Sequence, residues 1–598
     1  MARFIEARRL TGRNLLLAGP GAGAEVVLED DDLAGVDALI ADVRLAVARE
    51  GARVGLSSPL VVRRSGRTVS LAIAAPIDAL LTAADLLEAA IISVVGAVVA
   101  DAVDVDVADG TEAVAKEEAE PLTLEQTRAA EKNDALVALV DEAIRRGVPT
   151  VFDDEGLTIG LGARGQTWPL STLPTSSSLV PWSALGAVPV ALVTGTNGKT
   201  TTTRLLASVM RAAGLVVGST STDGVVIDGV VVDDGDWSGP GGARRVLRDV
   251  RVTGAVLETA RGGLLRRGLA LTGYDVAVVT NVAADHLGEF GIDDLDAMAE
   301  VKCLVARGLK ASGTAVLNAD DARLRAQAAT LSTAVAFFGR DLDAVRAHAV
   351  KGQACFGVAT IDSVDSVDGI ATIARAIGPV GAVVGIVAVA AVPLCFGGAA
   401  GFNVDNAVAA AAAASLLGIA DAAIAAGLIA VSASFVDSPG RANVVDKDGV
   451  TVVVDFAHNP AAMAALWDLV GHLIDAARRR GQRPTVRCVL GAPGDRLDAE
   501  LVAVADVIAD SAHAHDVLDT MTVVCRELHD YLRGRALGEV TAVLADRLRA
   551  RGVVDIRFAN DDVSALQLAL AQATPGDVVV LTPIVDQAGV AVLLGVAL

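Results

Sequence analysis

Aromatic residues are scarce, at 3% of 598 residues. A chain of this length exceeds what one hydrophobic core supports and calls for several domains. Those cores must be built from Ala, Val, Leu and Ile, which carry most of a 53% hydrophobic content. Positive charge is in deficit: 50 Lys and Arg face 73 Asp and Glu, a net charge of −23. That balance argues against a nucleic-acid partner, which needs concentrated positive charge against the phosphate backbone. It is no obstacle to a nucleotide, whose phosphates can be met by backbone N–H groups and one Lys. The cysteines number five and form no Cys-x-x-Cys pair, which reads as buried free thiols in a reducing compartment. Long apolar runs are missing as well. Residues 376–404 carry no charge, but Pro379 and Pro393 bracket only 13 apolar residues, VGAVVGIVAVAAV, against about 20 needed to cross a bilayer. The stretch reads as a buried strand with its flanks. The first residues, MARFIEARRL, lack the apolar core of a signal peptide. A soluble, cytoplasmic protein with no membrane partner is expected.

What is present is an alternation of short apolar runs and helical stretches. It occupies residues 1–110, turns acidic and polar over 111–134 as an exposed helix or linker, and resumes at 134–161 with DALVALVDEAIRRGVPTVFDDEGLTIGL. Pro, Ser and Thr then crowd into 169–184, the composition of a linker. From 187 the pattern is apolar strand, Gly-rich turn and helix, repeated, as a mainly parallel sheet covered on both faces requires. The Ala-rich run 403–418 predicts a helix ended by Gly418. A further unit begins near 435, with VTVVVDF, TVRCVLG and GDVVVLTP as its strands.

The densest chemistry is TGTNGKTTTT at 194–203, after the strand VPVALV and before a helix. Gly195 and Gly198 allow backbone N–H groups to face phosphate, Lys199 reaches the terminal phosphate, and the hydroxyl that follows holds Mg²⁺. Val193 stands where the general phosphate-loop pattern has its first Gly. GAVLE puts Glu258 at the end of a strand, where an NTPase keeps an acidic group near its metal. TNVAADHLGEFG adds Asn281, Asp285 and His286 just beyond the strand YDVAVV, the end at which open α/β sheets place ligands.

TGTNGKT, LETARGG, TNVAADHLG, VLNADD, SPGR and DFAHNP, in that order, together resemble the Mur ligases, over roughly residues 187–598. Within that family, TSTDGVVIDG, GDWSGPGGARRVL, ETARGGLLRRGL and LRGRALGE look like the Mur-type half of cyanophycin synthetase. The ATP-grasp domain expected after residue 161 in such an enzyme does not stand before the phosphate loop, so one kind of ligation is expected. The resemblance implies an α/β multi-domain fold: an N-terminal α/β domain (1–168), a linker (169–186), a central P-loop parallel-sheet ATPase domain (187–432) and a Rossmann-like C-terminal domain (433–598). It implies ATP and Mg²⁺ as cofactors, and amino-acid and carboxylate substrates joined through an acyl phosphate with release of ADP.

The roles carry over residue by residue. Gly195, Thr196, Asn197, Gly198, Lys199, Thr200 and Thr201 would cradle the phosphates, with Asn281 near the adenine. Thr200, Glu258 and His286 would hold metal. Lys302 falls where many relatives carry a carbamylated Lys, against the plainer reading of an exposed helix Lys. Arg441, Asp455 and His458 would close over phosphate and ribose from the C-terminal domain. Phe402-Asn403 replaces a frequent His-Asn, leaving Asn403 and Asn406. A UDP-muramyl-peptide ligase, a P-loop ATPase driving conformational change, and a nucleotide-binding pseudoenzyme serving a partner ligase are the competing readings. An acceptor-binding role and a dimerising role for the N-terminal region, and with the latter a homo-oligomer, are equally open.

Overall fold

A computed structural model describes residues 2–29, 35–96, 122–363 and 366–598. The acidic stretch up to 121 lies outside the described residues. Beyond it, Thr123 and Gln126 form a capping box that starts a helix at Leu124–Glu131.

Near the N-terminus, Arg3–Leu10, Gly21–Val27, Thr68–Ala74 and Val61–Ser65 pair in that order as an antiparallel sheet. The helices Val36–Val54 and Leu80–Val95 supply its apolar cover. A three-stranded antiparallel sheet of Thr150–Asp153, Gly156–Ile159 and Gln166–Pro169 follows. The Pro/Ser-rich segment after it is anchored rather than loose: Val180 and Leu185 are buried with Leu136, Leu139 and Leu157.

The central sheet has eleven strands. In spatial order they are Val230–Asp233, Gly224–Ile227, Val217–Ser221, Gly254–Glu258, Val190–Thr194, Tyr274–Val279, Leu309–Asn318, Ala334–Asp341, Ala354–Ser363, Ser366–Ile377 and Val384–Ala388. The middle seven run parallel, and antiparallel strands extend both sides. Val190–Thr194 is buried along its whole length, as its unbroken apolar run requires. One face is covered by the helices Lys199–Ala212 and Gly401–Leu416, the other by residues such as Val246, Leu264, Met298 and Leu304. The Ala-rich helix approaches closely because its buried positions are mostly methyl groups, Ala407 through Ala414 with Val408. The strand expected to be buried at 380–392 is instead the outermost, Val384–Ala388, and Val383 and Val384 are exposed. Its apolar character reflects β propensity and one covered face; with a single neighbour, Ser366–Ile377, it has no second strand to shield it.

The C-terminal sheet runs Asn443–Lys447, Val450–Val454, Val578–Thr582, Val486–Leu490, Thr522–Arg526 and Asp555–Ala559. Only the first pair is antiparallel. Helices Pro460–Arg479, Asp498–Ala514 and Glu539–Ala550 cover one face, and Asp562–Leu570 with Gln587–Leu594 the other. This layering of a doubly wound parallel sheet turns its strand ends toward the central domain, where Ala442 and Leu469 pack with Ala400. All five cysteines are buried and free, and no helix among the described residues is long and apolar enough to cross a membrane.

Candidate active site

Val190–Thr194 lies between Gly254–Glu258 and Tyr274–Val279, so the loop at its carboxyl end is flanked by the ends of both neighbours. The loop needs its glycines. Gly195 has φ 151°, and a Cβ there would sit 1.8 Å from Thr280 Oγ1. Gly198 has φ 82°, and a Cβ there would sit 2.1 Å from Asn406 Oδ1. Thr196 is pinned to Ala283, donating to its carbonyl at 3.3 Å and accepting from its N–H at 3.0 Å. The resemblance places Asn281 near the adenine; in the structure its amide grips the loop. Its Oδ1 accepts from the Asn197 N–H at 2.9 Å and its Nδ2 donates to the Asn197 carbonyl at 3.1 Å. The helix then begins at Lys199, whose ammonium donates back to the Thr196 carbonyl at 3.0 Å. Thr200 and Thr201 are buried in its first turn, where backbone N–H groups point at the loop.

Glu258 is 1% exposed. Its Oε2 accepts from the Thr200 hydroxyl at 2.9 Å, while Oε1 is buried with no hydrogen-bond partner. Burial pushes its carboxyl up, opposed by the Lys199 charge. A hydroxyl and a carboxylate with a free oxygen are the hard donors Mg²⁺ takes. No group of three or more His, Cys, Asp and Glu able to hold a metal occurs among the described residues. An ion at Glu258 and Thr200 would therefore complete its shell with phosphate and water oxygens, as Mg²⁺ characteristically does.

His286 belongs to a second group. Its Nδ1 lies 3.0 Å from Glu289 Oε1 and its Nε2 lies 3.2 Å from an Nη of Arg496. Arg496 comes from the C-terminal domain and also pairs with Asp285. His458 Nε2 stands 3.8 Å from the same carboxylate. Burial opposes the charge on Asp285, but His458, Arg496 and His286 outweigh it and hold its carboxyl well below the usual range. In this arrangement the His286 ring is engaged by Glu289 and Arg496, whereas Glu258 engages Thr200. Nearby, Lys302 is 3% exposed, not a surface Lys, and no hydrogen bond to its ammonium is found among the described residues. Burial first, and then the charge of Lys199, lower its pKa to about 7. Between about 7 and the ordinary 10.5 the native state binds fewer protons than the unfolded chain. The penalty for burying Lys302 is thus full below about pH 7 and fades as pH rises toward 10.5. Lys302→Met is therefore expected to raise the melting temperature, most near pH 6 and least near pH 10, and a gain independent of pH would contradict the buried ammonium.

From the C-terminal domain, Arg441 lies 4.8 Å over the Phe456 ring and donates to Thr222 Oγ1 at 3.2 Å. Thr222 in turn is 3.3 Å from Thr200. Arg441 also faces Asp223 at 3.5 Å, which pairs with Arg204 at 2.9 Å. Asp455 accepts from the Ala442 and Ala457 N–H groups, both at 2.7 Å, so it ties the loop carrying Arg441 to the one carrying His458. Its carboxyl is pushed up by burial, against the Arg441 charge. His458 Nδ1 donates to the Phe456 carbonyl at 2.8 Å, which turns Nε2 toward Asp285. Asn459 caps the helix Pro460–Arg479 and exchanges two amide hydrogen bonds with Asn197, at 2.9 and 3.2 Å. Asn403 donates to the Leu394 carbonyl at 3.0 Å and its Oδ1 accepts from Asn406 Nδ2 at 3.2 Å, and Asn406 abuts Gly198.

Arg496, Asn459, Thr222 and Arg204 were not singled out from sequence. Arg496 had a usable signal: GAPGDR follows the strand Val486–Leu490 directly, the same strand-end rule that points to His286. Asn459 is legible only as a helix cap.

Comparison with known proteins gives two domain matches, the Mur ligase middle domain over residues 193–378 and the Mur ligase glutamate ligase domain over 440–584. A cyanophycin synthetase of Trichormus variabilis is 37% identical over 409 residues, 68% of this chain and 42% of that one. The chain spans less than half the length of the cyanophycin synthetases it matches. A UDP-N-acetylmuramoyl-L-alanyl-D-glutamate–2,6-diaminopimelate ligase of Xanthomonas campestris is 30% identical over 401 residues, 65% of this chain and 70% of that one. A bifunctional folylpolyglutamate synthase/dihydrofolate synthase of Yersinia pestis aligns at a TM-score of 0.47 and 21% identity, covering 68% of this chain and 89% of that one. With both domain matches over the phosphate loop and the sheet that faces it, and a 30% identical relative matched over 70% of its length, this chain belongs to the Mur ligase family.

Proposed function

We propose that this protein is an ADP-forming ligase that activates a carboxylate with ATP and joins it to an amine, adding an amino acid to an amino-acid or peptide acceptor as a cyanophycin synthetase would. The observation that carries the reading is the seating of the C-terminal domain on the phosphate loop, through the Asn197–Asn459 amide pair and the contact of Arg441 with Thr222 beside Thr200. A P-loop ATPase that drives motion has no use for a second domain whose Arg441, Arg496 and His458 converge on the same strand ends.

Two anions must meet when a carboxylate attacks a phosphoryl group. Lys199 and the first turn of its helix supply positive charge and N–H donors at the phosphates. Mg²⁺, held by Thr200 and Glu258, would neutralise developing charge and fix the phosphate geometry. A carboxylate oxygen forms a bond to the γ-phosphorus as the bond to the β-γ bridging oxygen breaks, releasing ADP. The amine nitrogen then attacks the acyl carbon, phosphate leaves, and the nitrogen loses a proton. Arg441, His458 and Arg496 close the domain interface over these steps and limit water. Lys302, with its pKa near 7, is neutral often enough to react with CO₂, so a carbamate there would bring a carboxylate into the group around Asp285.

The test supplies ATP, Mg²⁺ and candidate carboxylates, including short acidic peptides and UDP-muramyl peptides, with hydroxylamine as the amine. A hydroxamate together with ADP and phosphate is expected with one class of carboxylate, which also separates the two ligase readings. AMP and pyrophosphate would mean adenylate chemistry and reject the proposal.

A further inference from the structure

The loop that carries Asp285 and His286 is held from outside as well as by its own hydrogen bonds, Gly288 N–H to the Ile292 carbonyl at 2.9 Å and Ile292 N–H to the Glu289 carbonyl at 3.1 Å. Between 286 and 291 four residues adopt left-handed backbone, His286 (φ 53°), Gly288 (φ 91°), Phe290 (φ 55°) and Gly291 (φ 65°). Two of these are not glycine, and of the two the bulky Phe290 is the one for which such an angle calls for support from its surroundings. On the side of Phe290 those surroundings include the N-terminal sheet. Arg8, 11% exposed at its side chain, lies 5.2 Å over the Phe290 ring. It also donates to the Leu265 carbonyl at 3.3 Å and is fixed by Glu25 at 2.8 Å. Leu265 belongs to the helix Arg261–Arg266, whose Arg261 donates to the His286 carbonyl at 2.7 Å and pairs with Glu289. One guanidinium therefore braces the loop directly and through the helix beside it. A second tie is the Ser65 hydroxyl, which donates to Asp293 at 2.8 Å, and a third is Arg63, 2.9 Å from Glu300, two residues before Lys302.

We propose that the N-terminal sheet positions the His286 loop, with Arg8 and Phe290 as the positioning pair that presents Asp285 and His286 to the domain interface. The inference rests on the ligase reading for its catalytic consequence, though not for its structural one. Orientation errors of about 1 Å at a reacting group can cost about a hundredfold in rate. Loss of the pair should thus fall on kcat, because neither residue lies at the phosphate loop.

Three variants test this in the full chain. Arg8→Lys keeps a cation for the buried Glu25 but gives up the planar stack and the fork of donors. Phe290→Leu removes the ring and leaves the Arg8–Glu25 pair, and Phe290→Tyr restores a ring. Hydrogen exchange of residues 285–293 and steady-state ATP turnover are measured on each. Arg8→Lys and Phe290→Leu are expected to speed exchange across 285–293 while Arg3–Leu10 stays protected. They should lower kcat about tenfold or more with little change in KM for ATP. Phe290→Tyr should match the unmodified protein in both. Unchanged exchange in the first two variants, or wild-type kcat despite faster exchange, overturns the proposal. Should the unmodified chain turn over no ATP with any carboxylate, the ligase reading falls, and the exchange data alone decide whether the sheet orders the loop.

Discussion

Lys199→Ala is expected to lower ATP turnover by about a thousandfold or more at saturating ATP, with the melting temperature nearly unchanged. The shape of the loop does not depend on this side chain. It is set by Gly195 against Thr280, Gly198 against Asn406, and the two-sided grip of Asn281 on Asn197. Lys199 adds to that frame one hydrogen bond, to the Thr196 carbonyl, worth about 1 kcal/mol net. What is lost is the only ammonium carried by the loop, at the point where two anions must be brought together. Gly198→Ala makes the contrast. Its new Cβ would meet Asn406 Oδ1 at 2.1 Å from a backbone with φ 82°, so it should lose activity and stability together. Phosphate release and thermal melting, read on both variants, separate charge from shape. A Lys199→Ala protein that keeps a large share of its turnover would remove the phosphate-loop assignment.

The parts of this site that were legible in the sequence are the local ones. Residues 190–203 state strand, turn and helix in consecutive letters, and each glycine there has a steric reason visible in its φ angle or its neighbour. The helix Gly401–Leu416 was legible for the same reason, since Ala propensity is a local property and Gly418 at φ 81° follows its end. Pairing partners are not local. Hydrophobicity marked a buried strand within 380–392, but it could not show that the strand, Val384–Ala388, would have a single neighbour. Lys302 could be read as a surface or a site residue because an eight-residue helix, Leu295–Lys302, does not reveal which end faces the core. Arg496 and His286 are 210 positions apart, and Arg8 and Leu265 are 257 apart; only the packing of separate sheets brings them together. Asn281 stands in a legible motif, but its two-sided grip on Asn197 spans 84 positions and is not written in the motif itself.

Glu258→Gln is expected to lower turnover by about a hundredfold or more without destabilising the fold. The substitution is isosteric, and the amide oxygen can still accept from Thr200, so the bond at 2.9 Å survives. Burial disfavours the native carboxylate, whose carboxyl is pushed up, and a neutral amide relieves that strain. Stability should therefore hold or rise while function falls, a pairing that misfolding cannot produce. His286→Ala should be equally damaging to turnover for a different reason. Its Nε2 faces Arg496 and its Nδ1 faces Glu289, so its removal loosens the C-terminal domain's hold on the strand end. If His286 also holds the ion when nucleotide is bound, raised Mg²⁺ should restore part of the lost rate in His286→Ala. If it acts through Arg496 and Asp285, raised Mg²⁺ should do nothing, and Arg496→Lys should reproduce the defect. Full activity in Glu258→Gln would place the metal elsewhere. The unpartnered Oε1, buried beside Lys199 and Thr200, would then be a buried acceptor without a function, which a folded core rarely tolerates.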